Sequence, residues 1–181
     1  MSEKKSNKKL KIIICILLVL IIFIAIFKVI EAYNSNPLNK KVLIEHYYKN
    51  LAWSYTYYGT VICEDGSIYK FKFTDSSQEY GPYDNIEERS KNILEHVKIS
   101  EEKIDKMDKK DLKQLKEELK NIENDTIGES TEIFDIGQTT TEYYNYETNE
   151  LITLESTGEY NEINTSQNIQ DILSILEKYD L

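Results

Sequence analysis

The sequence predicts an α+β protein: an N-terminal transmembrane helix followed by one small domain, in which helices cover an antiparallel sheet. Three observations support this prediction. An unbroken apolar run occupies residues 12–27, a β-hairpin pattern surrounds Asp65-Gly66, and a three-strand meander pattern occupies residues 131–157. Between and after the predicted strands, apolar residues recur every three or four positions, which is the helical period. Antiparallel strands separated by helices are typical of the α+β class.

The apolar run has the length and the flanks of a helix that crosses a membrane. The residues that bound the predicted span are Leu10, Lys11, Ile12, Phe27, Lys28 and Ile30. As a helix, residues 10–30 rise about 31 Å, close to a hydrocarbon core of about 30 Å. The two lysines then lie near the membrane surfaces, where their aliphatic stems let the amines reach the headgroups. The sequence therefore predicts a lipid bilayer as the first partner of this chain.

The charges around the run predict its orientation. Five lysines precede it, against Glu3 alone, and positively charged flanks stay on the cytoplasmic side. We therefore expect a cytoplasmic, lysine-rich N-terminus at residues 1–9, a span at residues 10–30 and the C-terminal part of the chain outside. The high content of Ile, Lys, Asn, Tyr and Glu resembles that of proteins from AT-rich bacterial genomes, so outside would mean the bacterial cell envelope.

A cleaved signal peptide and a lipoprotein signal are the alternatives to a permanent anchor. A signal peptide has an apolar region of about 7–15 residues that ends in small residues, whereas this run ends in Phe27-Lys28-Val29-Ile30. A lipoprotein needs a small residue before its acylated cysteine, but Cys15 follows Ile14 inside the run. Both patterns fit less well than a single-pass anchor.

The charge outside the predicted span is strongly uneven. Residues 33–122 carry nearly balanced charges, whereas residues 123–181 are acidic with Lys178 as their only basic residue. A nucleic-acid-binding domain needs a basic patch or stripe. We therefore expect no nucleic-acid partner, and a solvated acidic surface at the C-terminal end.

Residues 31–52 are predicted to form a stalk or linker helix, and residues 53–181 the outer domain. Asn36-Pro37 suits a helix start, with Asn as the cap and Pro at the first position. Val42, Leu43, His46 and Tyr47 then follow at helical spacing.

The first predicted strands are Tyr55 to Cys63 and Ser67 to Phe73. Asp65-Gly66 between them is the strongest short hairpin signal, because both central residues of a two-residue turn need positive φ. Such a turn sets Ile62 opposite Tyr69.

The remaining predicted elements alternate between helices, with apolar residues every three or four positions, and strands, with apolar residues at every second position. Asp84 to Glu87 has the form of a capping box for a helix over residues 84–97, and Asp108 is expected to cap a second helix. The predicted strands of the meander are Glu132–Ile136, Thr139–Glu147 and Leu151–Thr157, with a three-residue loop that sets Tyr144 opposite Leu154. Thr165 or Ser166 is expected to cap the final helix.

The residues that carry chemistry form no recognisable motif. His46 and His96 lack the spacing of a metal site, Cys63 lies beside a hairpin turn, and no glycine-rich phosphate loop exists. We therefore expect no catalytic residue, no metal and no cofactor. Among the many carboxylates no acid–base pair can be singled out, and Glu142 has the pattern of a surface residue.

Tyrosine is the more informative excess, with 14 in the chain. Rigid amphipathic rings are favoured at binding surfaces, and Tyr55, Tyr57 and Tyr143 are the candidates for one on the predicted sheet. The sequence thus favours a membrane-anchored, non-catalytic binding or regulatory domain whose partner is an envelope protein or a wall glycan. The alternative is a cell-envelope enzyme that uses Cys63 or an acidic pair.

Overall fold

The computed structural model describes residues 3–50, 55–74, 85–100, 103–130 and 136–181. The chain divides into two compact units, Met1–Asn39 and Lys40–Leu181. Almost all of the predicted strand at residues 132–136 lies outside the described residues.

The first unit is a long helix, α1 (Glu3–Ser35), followed by a short 3-10 helix at Pro37–Asn39. Within the described residues, α1 is the one helix long and apolar enough to cross a membrane, over Ile14–Tyr33 with a mean hydropathy of 3.0. Its large apolar side chains in this stretch are all at least 48% exposed, on every side of the helix. A helix that is apolar all round needs either a protein core or lipid around it. All residues that bound the predicted span lie within α1.

The second unit contains a sheet of eight strands, counted over the described residues, in the order β4-β3-β2-β1-β6-β7-β8-β5. All neighbouring strands are antiparallel. The strands are β1 (Val42–Asn50), β2 (Thr56–Cys63), β3 (Ser67–Phe73), β4 (Lys103–Lys106), β5 (Thr126–Ser130), β6 (Gln138–Asn145), β7 (Glu150–Gly158) and β8 (Tyr160–Asn164). The helices of this unit are α2 (Ile86–Ser100), α3 (Lys109–Leu119) and α4 (Ile169–Glu177). The predicted α+β fold, with helices covering an antiparallel sheet, is confirmed.

The predicted stalk helix is wrong, because residues 42–50 form the central strand β1. Hydrogen-bonded neighbours on both sides, β2 and β6, satisfy the backbone of β1. Its residues Ile44, His46 and Tyr48 point to one face of the sheet, while Glu45 and Tyr47 point to the other. The residues whose spacing suggested a helix fall on both faces of this strand, and pairing with the neighbouring strands overrode the local pattern.

The hairpin of β2 and β3 is confirmed, but the predicted register is wrong by one residue. Ile62 pairs with Ile68 rather than with Tyr69, because the loop has three residues, Glu64, Asp65 and Gly66. The amide of Gly66 donates to the Cys63 carbonyl at 2.8 Å, and Gly66 has a φ of 81°. This is a turn closed by a left-handed residue, the common three-residue hairpin loop.

The one-residue difference moves every side chain of β3 to the other face. The buried aromatic residues now share one face, and the lysines of β3 share the other. The buried set is Tyr57, Tyr69, Phe71 and Phe73. The exposed set is Lys70 and Lys72.

The loop between β6 and β7 also differs from the prediction. It has four residues, 146–149, and Asn149 adopts a left-handed φ of 59°. Tyr144 therefore pairs with Leu151 rather than with Leu154, and a bulge beside Glu142 shifts the ladder again towards the other end. The strands β4, β5 and β8 were not predicted at all.

The two faces of the sheet are covered by different helices. On one face, α3 and α4 pack on the central strands. The buried cluster there includes Ile44, Ile62, Ile68, Ile152, Leu154, Leu115, Leu119, Ile172 and Leu176. The opposite face carries α2, whose His96 ring stacks on Phe73 with centroids 4.0 Å apart. The result is a helix–sheet–helix arrangement around one sheet.

The helix starts follow local chemistry: α3 starts as predicted, and the starts of α2 and α4 are shifted by one to three residues. Asn85 caps α2 by accepting a hydrogen bond from the Glu88 amide at 3.0 Å, while Asp84 lies outside the described residues. Asp108 caps α3 as predicted, accepting from the Lys110 amide at 2.7 Å. The last helix, α4, starts at Ile169 rather than directly after Ser166.

The left-handed position of Gly66 gives a direct test of the hairpin loop. We expect Gly66→Ala to lower the free energy of unfolding of Lys40–Leu181 by about 1–2 kcal/mol, because a Cβ disfavours this conformation. Gly66→Asn is the matched control, since Asn tolerates left-handed φ and should lose less. Urea unfolding followed by circular dichroism measures both. Equal stability of Gly66→Ala and the wild type would contradict the three-residue loop.

Candidate functional site

A buried carboxylate lies at the centre of the sheet, on the face that α2 covers. Glu45 of β1 has no exposed surface. The Tyr57 hydroxyl donates to its Oε1 at 2.6 Å, and the Tyr144 hydroxyl donates to its Oε2 at 2.5 Å. Arg89 of α2 donates from Nη2 to the same Oε2 at 2.9 Å. A buried carboxylate needs partners of this kind, because desolvation without them costs several kcal/mol.

A second carboxylate shares the same arginine. Glu142 of β6 is the direct cross-strand neighbour of Glu45, and Arg89 Nη2 donates to its Oε2 at 2.5 Å. The side chains of Arg89 and Glu142 are 13% and 12% exposed, so the cluster reaches solvent only through these two. The Arg89 guanidinium also lies 5.8 Å from the ring centroids of Tyr47 and Tyr144. We call Glu45, Arg89 and Glu142 the carboxylate cluster.

Burial and charge set the protonation of this cluster. Burial, reinforced by Glu45, raises the pKa of Glu142, and Arg89 opposes this without cancelling it. Burial and the nearby Glu45 also raise the pKa of Tyr57 and of Tyr144, so both hydroxyls stay neutral donors. Burial, the largest single influence, acts to lower the pKa of Arg89, but Glu45, Tyr144, Glu142 and Tyr57 together outweigh it and hold that pKa well above its usual value. The guanidinium is therefore a permanent cation.

The carboxylate cluster ties three strands to one helix. Glu45 belongs to β1, its tyrosine partners to β2 and β6, and Arg89 to α2. Sequence reasoning missed this site and assigned Glu142 to the surface. One signal was available: Arg89 is the single arginine among 22 basic residues. Arginine is preferred over lysine for buried ion pairs.

The three tyrosines that the sequence predicted to form a binding surface lie in different environments. Tyr57 is 4% exposed and bonded to Glu45, so its prediction as part of a binding surface is wrong. Tyr55 is half-buried, and Tyr143 is half-buried against the cluster under α3 and α4. For these two tyrosines the binding role stays a prediction.

Cys63 and the two histidines are poorly placed for chemistry. Cys63 is fully buried, and burial together with Asp65 raises the pKa of its thiol to about 12. A thiol with this pKa stays protonated at neutral pH, and the thiolate is the nucleophile. His46 lies on the α3–α4 face and His96 on the α2 face, so the sheet separates them.

One half of the α3–α4 face is not covered by these helices. We define the open face by two rows of side chains, which the strand registers place side by side. The first row is Lys70, Thr60, His46, Thr141 and Glu155. The second row is Lys72, Tyr58, Tyr48, Thr139 and Thr157. With about 4.8 Å between strands, each row spans about 19 Å.

The open face is polar and partly fixed by its own hydrogen bonds. Tyr58 is 47% exposed, and its ring centroid lies 5.6 Å from that of Tyr48 on the neighbouring strand. The Tyr48 hydroxyl donates to the Ile136 carbonyl at 2.9 Å. His46 Nδ1 and the Thr141 hydroxyl oxygen are 2.8 Å apart, and burial lowers the pKa of His46. The charged residues are the lysines at one end and Glu155 at the other.

Two cavities of the described residues lie outside the centre of the open face. One, of about 390 Å³, is lined by β5, β7 and β8, including Ile127, Glu129, Glu155 and Ile163. Another, of about 540 Å³, lies between the end of α3 and the start of α4, with Glu118 and Asn168 in its lining. Neither contains Arg89 or Glu142.

The chain matches no protein-family model, no curated protein and no solved structure. The function is therefore inferred from the residues of the two units themselves.

The raised pKa of Glu142 predicts a pH-dependent stability. The folded state binds a proton on the Glu142 carboxyl group more tightly than the unfolded state does. The stabilisation from this proton is therefore fully present below pH 4.5 and is lost as the pH rises through the raised pKa of Glu142. Glu142→Gln cannot lose a proton. We expect its free energy of unfolding to rise relative to that of the wild type as the pH increases above 4.5.

Urea unfolding of Lys40–Leu181 at a series of pH values measures this difference. Glu150→Gln, at an exposed position of β7, is the matched control and should follow the wild-type profile. Parallel profiles for Glu142→Gln and the wild type would show that the buried position of Glu142 does not change its proton affinity.

Proposed function

We propose that this chain is a single-pass membrane protein whose second unit lies outside the membrane, in the cell envelope, and acts there as a non-catalytic binding or regulatory module. The observation that carries the proposal is the exposed apolar surface of α1 at Ile14–Tyr33. This surface has no polar face to turn to water, and a bilayer supplies the solvent that it needs.

The lysines before the span support the direction of insertion. Lys4, Lys5, Lys8, Lys9 and Lys11 precede it, and these charges favour retention on the cytoplasmic side. Lys40–Leu181 would then be the exported unit. Its acidic C-terminal third suits a soluble surface facing an aqueous compartment.

The groups that could act as a nucleophile or a base are buried or hydrogen-bonded within the protein, which supports a binding role. The Cys63 thiol is buried and protonated, and both oxygens of Glu45 accept hydrogen bonds. The polar surface of the open face is instead an array of hydroxyls, rings and lysines, which is suited to recognition. The alternative is an envelope enzyme that uses Glu45 and Glu142 as its acidic pair. It is favoured by the raised pKa of Glu142 and by the small exposure of that side chain.

A reporter fusion tests the topology. We expect alkaline phosphatase fused after Leu181 to be active in cells, because this reporter folds only outside the cytoplasm, and the chain to sediment with membranes. Replacing the five N-terminal lysines by glutamine should lower the active fraction, because it removes the charge asymmetry. Replacing Lys109, Lys110 and Lys113 of α3 is the matched control and should leave activity unchanged.

An inactive phosphatase fusion in a membrane-bound chain would contradict the exported position, and recovery of the intact chain from membrane-free extract would contradict the anchor. An activity assay distinguishes the enzyme alternative from the binding role. A catalytic activity of the purified chain that Glu142→Gln abolishes would overturn the non-catalytic role.

A further inference from the structure

We propose that the open face binds an extended acidic glycan, with sugar rings lying on Tyr58 and Tyr48 and carboxylates near Lys70 and Lys72. This inference rests on the proposed function and names the class of ligand for it.

The shape of the open face fits a polymer rather than a small molecule. The two rows lie at neighbouring same-face positions of five antiparallel strands, so their side chains form an array that crosses the strands. Small ligands are normally held in concave pockets that cover most of their surface. In the first row Thr141 is only 4% exposed. Along the second row, whose members are all exposed or half-buried, an extended chain of sugar rings can make one contact per strand across about 19 Å.

The aromatic centre of the array supplies the contact for sugar rings. A pyranose ring presents an apolar face of C–H groups, which packs on the face or edge of an aromatic ring. Tyr58 is 47% exposed, and Tyr48 lies beside it with ring planes 42° apart. The bond from the Tyr48 hydroxyl to the Ile136 carbonyl holds that ring in place before any ligand arrives. Rings fixed in this way lose little entropy on binding.

The charge of the array selects an acidic polymer. Lys70 and Lys72 are both exposed and lie two residues apart on the same face of β3. The chain as a whole has a net charge of −10, so a polyanion is repelled from most of its surface and attracted here. Glu155 lies at the opposite end of the first row. We infer that the acidic groups of the glycan bind over β3 and β2, with uncharged sugars towards β7.

The polarity of the rows distinguishes a glycan from a folded protein partner. Protein interfaces gain most of their affinity from buried aromatic or arginine anchors that enter pockets. The centre of the open face instead presents hydroxyl groups, from Thr60, Thr139 and the tyrosines. These groups match the hydroxyl-rich edge of a sugar strand, with which they can exchange hydrogen bonds.

Binding of two defined acidic glycans to the full chain tests the proposal. The chain is placed in nanodiscs of uncharged phosphatidylcholine, and the probes are polygalacturonate and hyaluronan oligosaccharides. Dextran serves as the neutral glycan and polyglutamate as the acidic polymer without sugar rings. Isothermal titration calorimetry at low salt gives the dissociation constants.

The variants separate ring stacking from charge. Tyr58→Ala should weaken binding by about tenfold, as expected for a central aromatic contact, whereas Tyr58→Phe should retain it. Lys72→Gln should weaken binding and reduce its salt dependence. Tyr160→Ala, at a tyrosine that is 45% exposed on β8, and Lys91→Gln, on α2, are matched controls that should bind normally. Circular dichroism of each variant confirms that the sheet is intact.

The proposal is supported if an acidic glycan binds more tightly than dextran and polyglutamate, and only the variants of the open face lose affinity. It is overturned if neither acidic glycan binds, if polyglutamate binds equally well, or if the control variants lose as much affinity. Each of these failures leaves the membrane topology unchanged, so failure of the glycan assignment is distinct from failure of the proposed function.

Discussion

The second unit depends on one buried interaction, the ion pair between Glu45 and Arg89. Glu45 lies in the central strand, without any exposed surface, and its carboxylate is satisfied from three elements at once. A buried charge of this kind tolerates few alternative arrangements, because any shift of β1 by one residue would carry the carboxylate to the α3–α4 face. The cluster therefore opposes register slips on both sides of β1, and it holds α2 on the sheet.

The register of β1, which this interaction maintains, determines which residues face each side of the sheet. With Glu45 directed towards α2, Ile44 is directed towards α3 and α4, where the aliphatic core forms. The same alternation directs His46 and Tyr48 to the half of that face beyond the helices. The polar rows of the open face thus follow from the position of Glu45. The first unit does not depend on this interaction, since α1 follows from its own apolar run.

The sequence predicted elements whose signal is local and missed those that depend on pairing. The apolar run, the Asp65-Gly66 turn and the Asp108 cap are local, and the structure contains all three. The predicted registers of both hairpins were wrong, because a loop of two, three or four residues cannot be distinguished from composition when Gly66 or Asn149 can each supply positive φ. Residues 42–50 fit both a helix and a strand, and only the neighbouring strands decide between them. Tyr57 was assigned to a surface because the one-residue register error exchanges the two faces. The pairing of Arg89 with Glu45 and Glu142 spans up to 53 residues of sequence, and no spacing rule reveals it.

A double-mutant cycle between Glu45 and Arg89 tests the central claim most directly. The measured quantity is the free energy of unfolding of Lys40–Leu181 for the wild type, Glu45→Gln, Arg89→Met and the double variant. We expect Arg89→Met to lose about 3–5 kcal/mol, since it leaves buried carboxylates without their cation. The double variant should lose less than the sum of the single variants, by about 2 kcal/mol or more. Losses that add to within about 0.5 kcal/mol would contradict a direct buried pair between the central strand and α2.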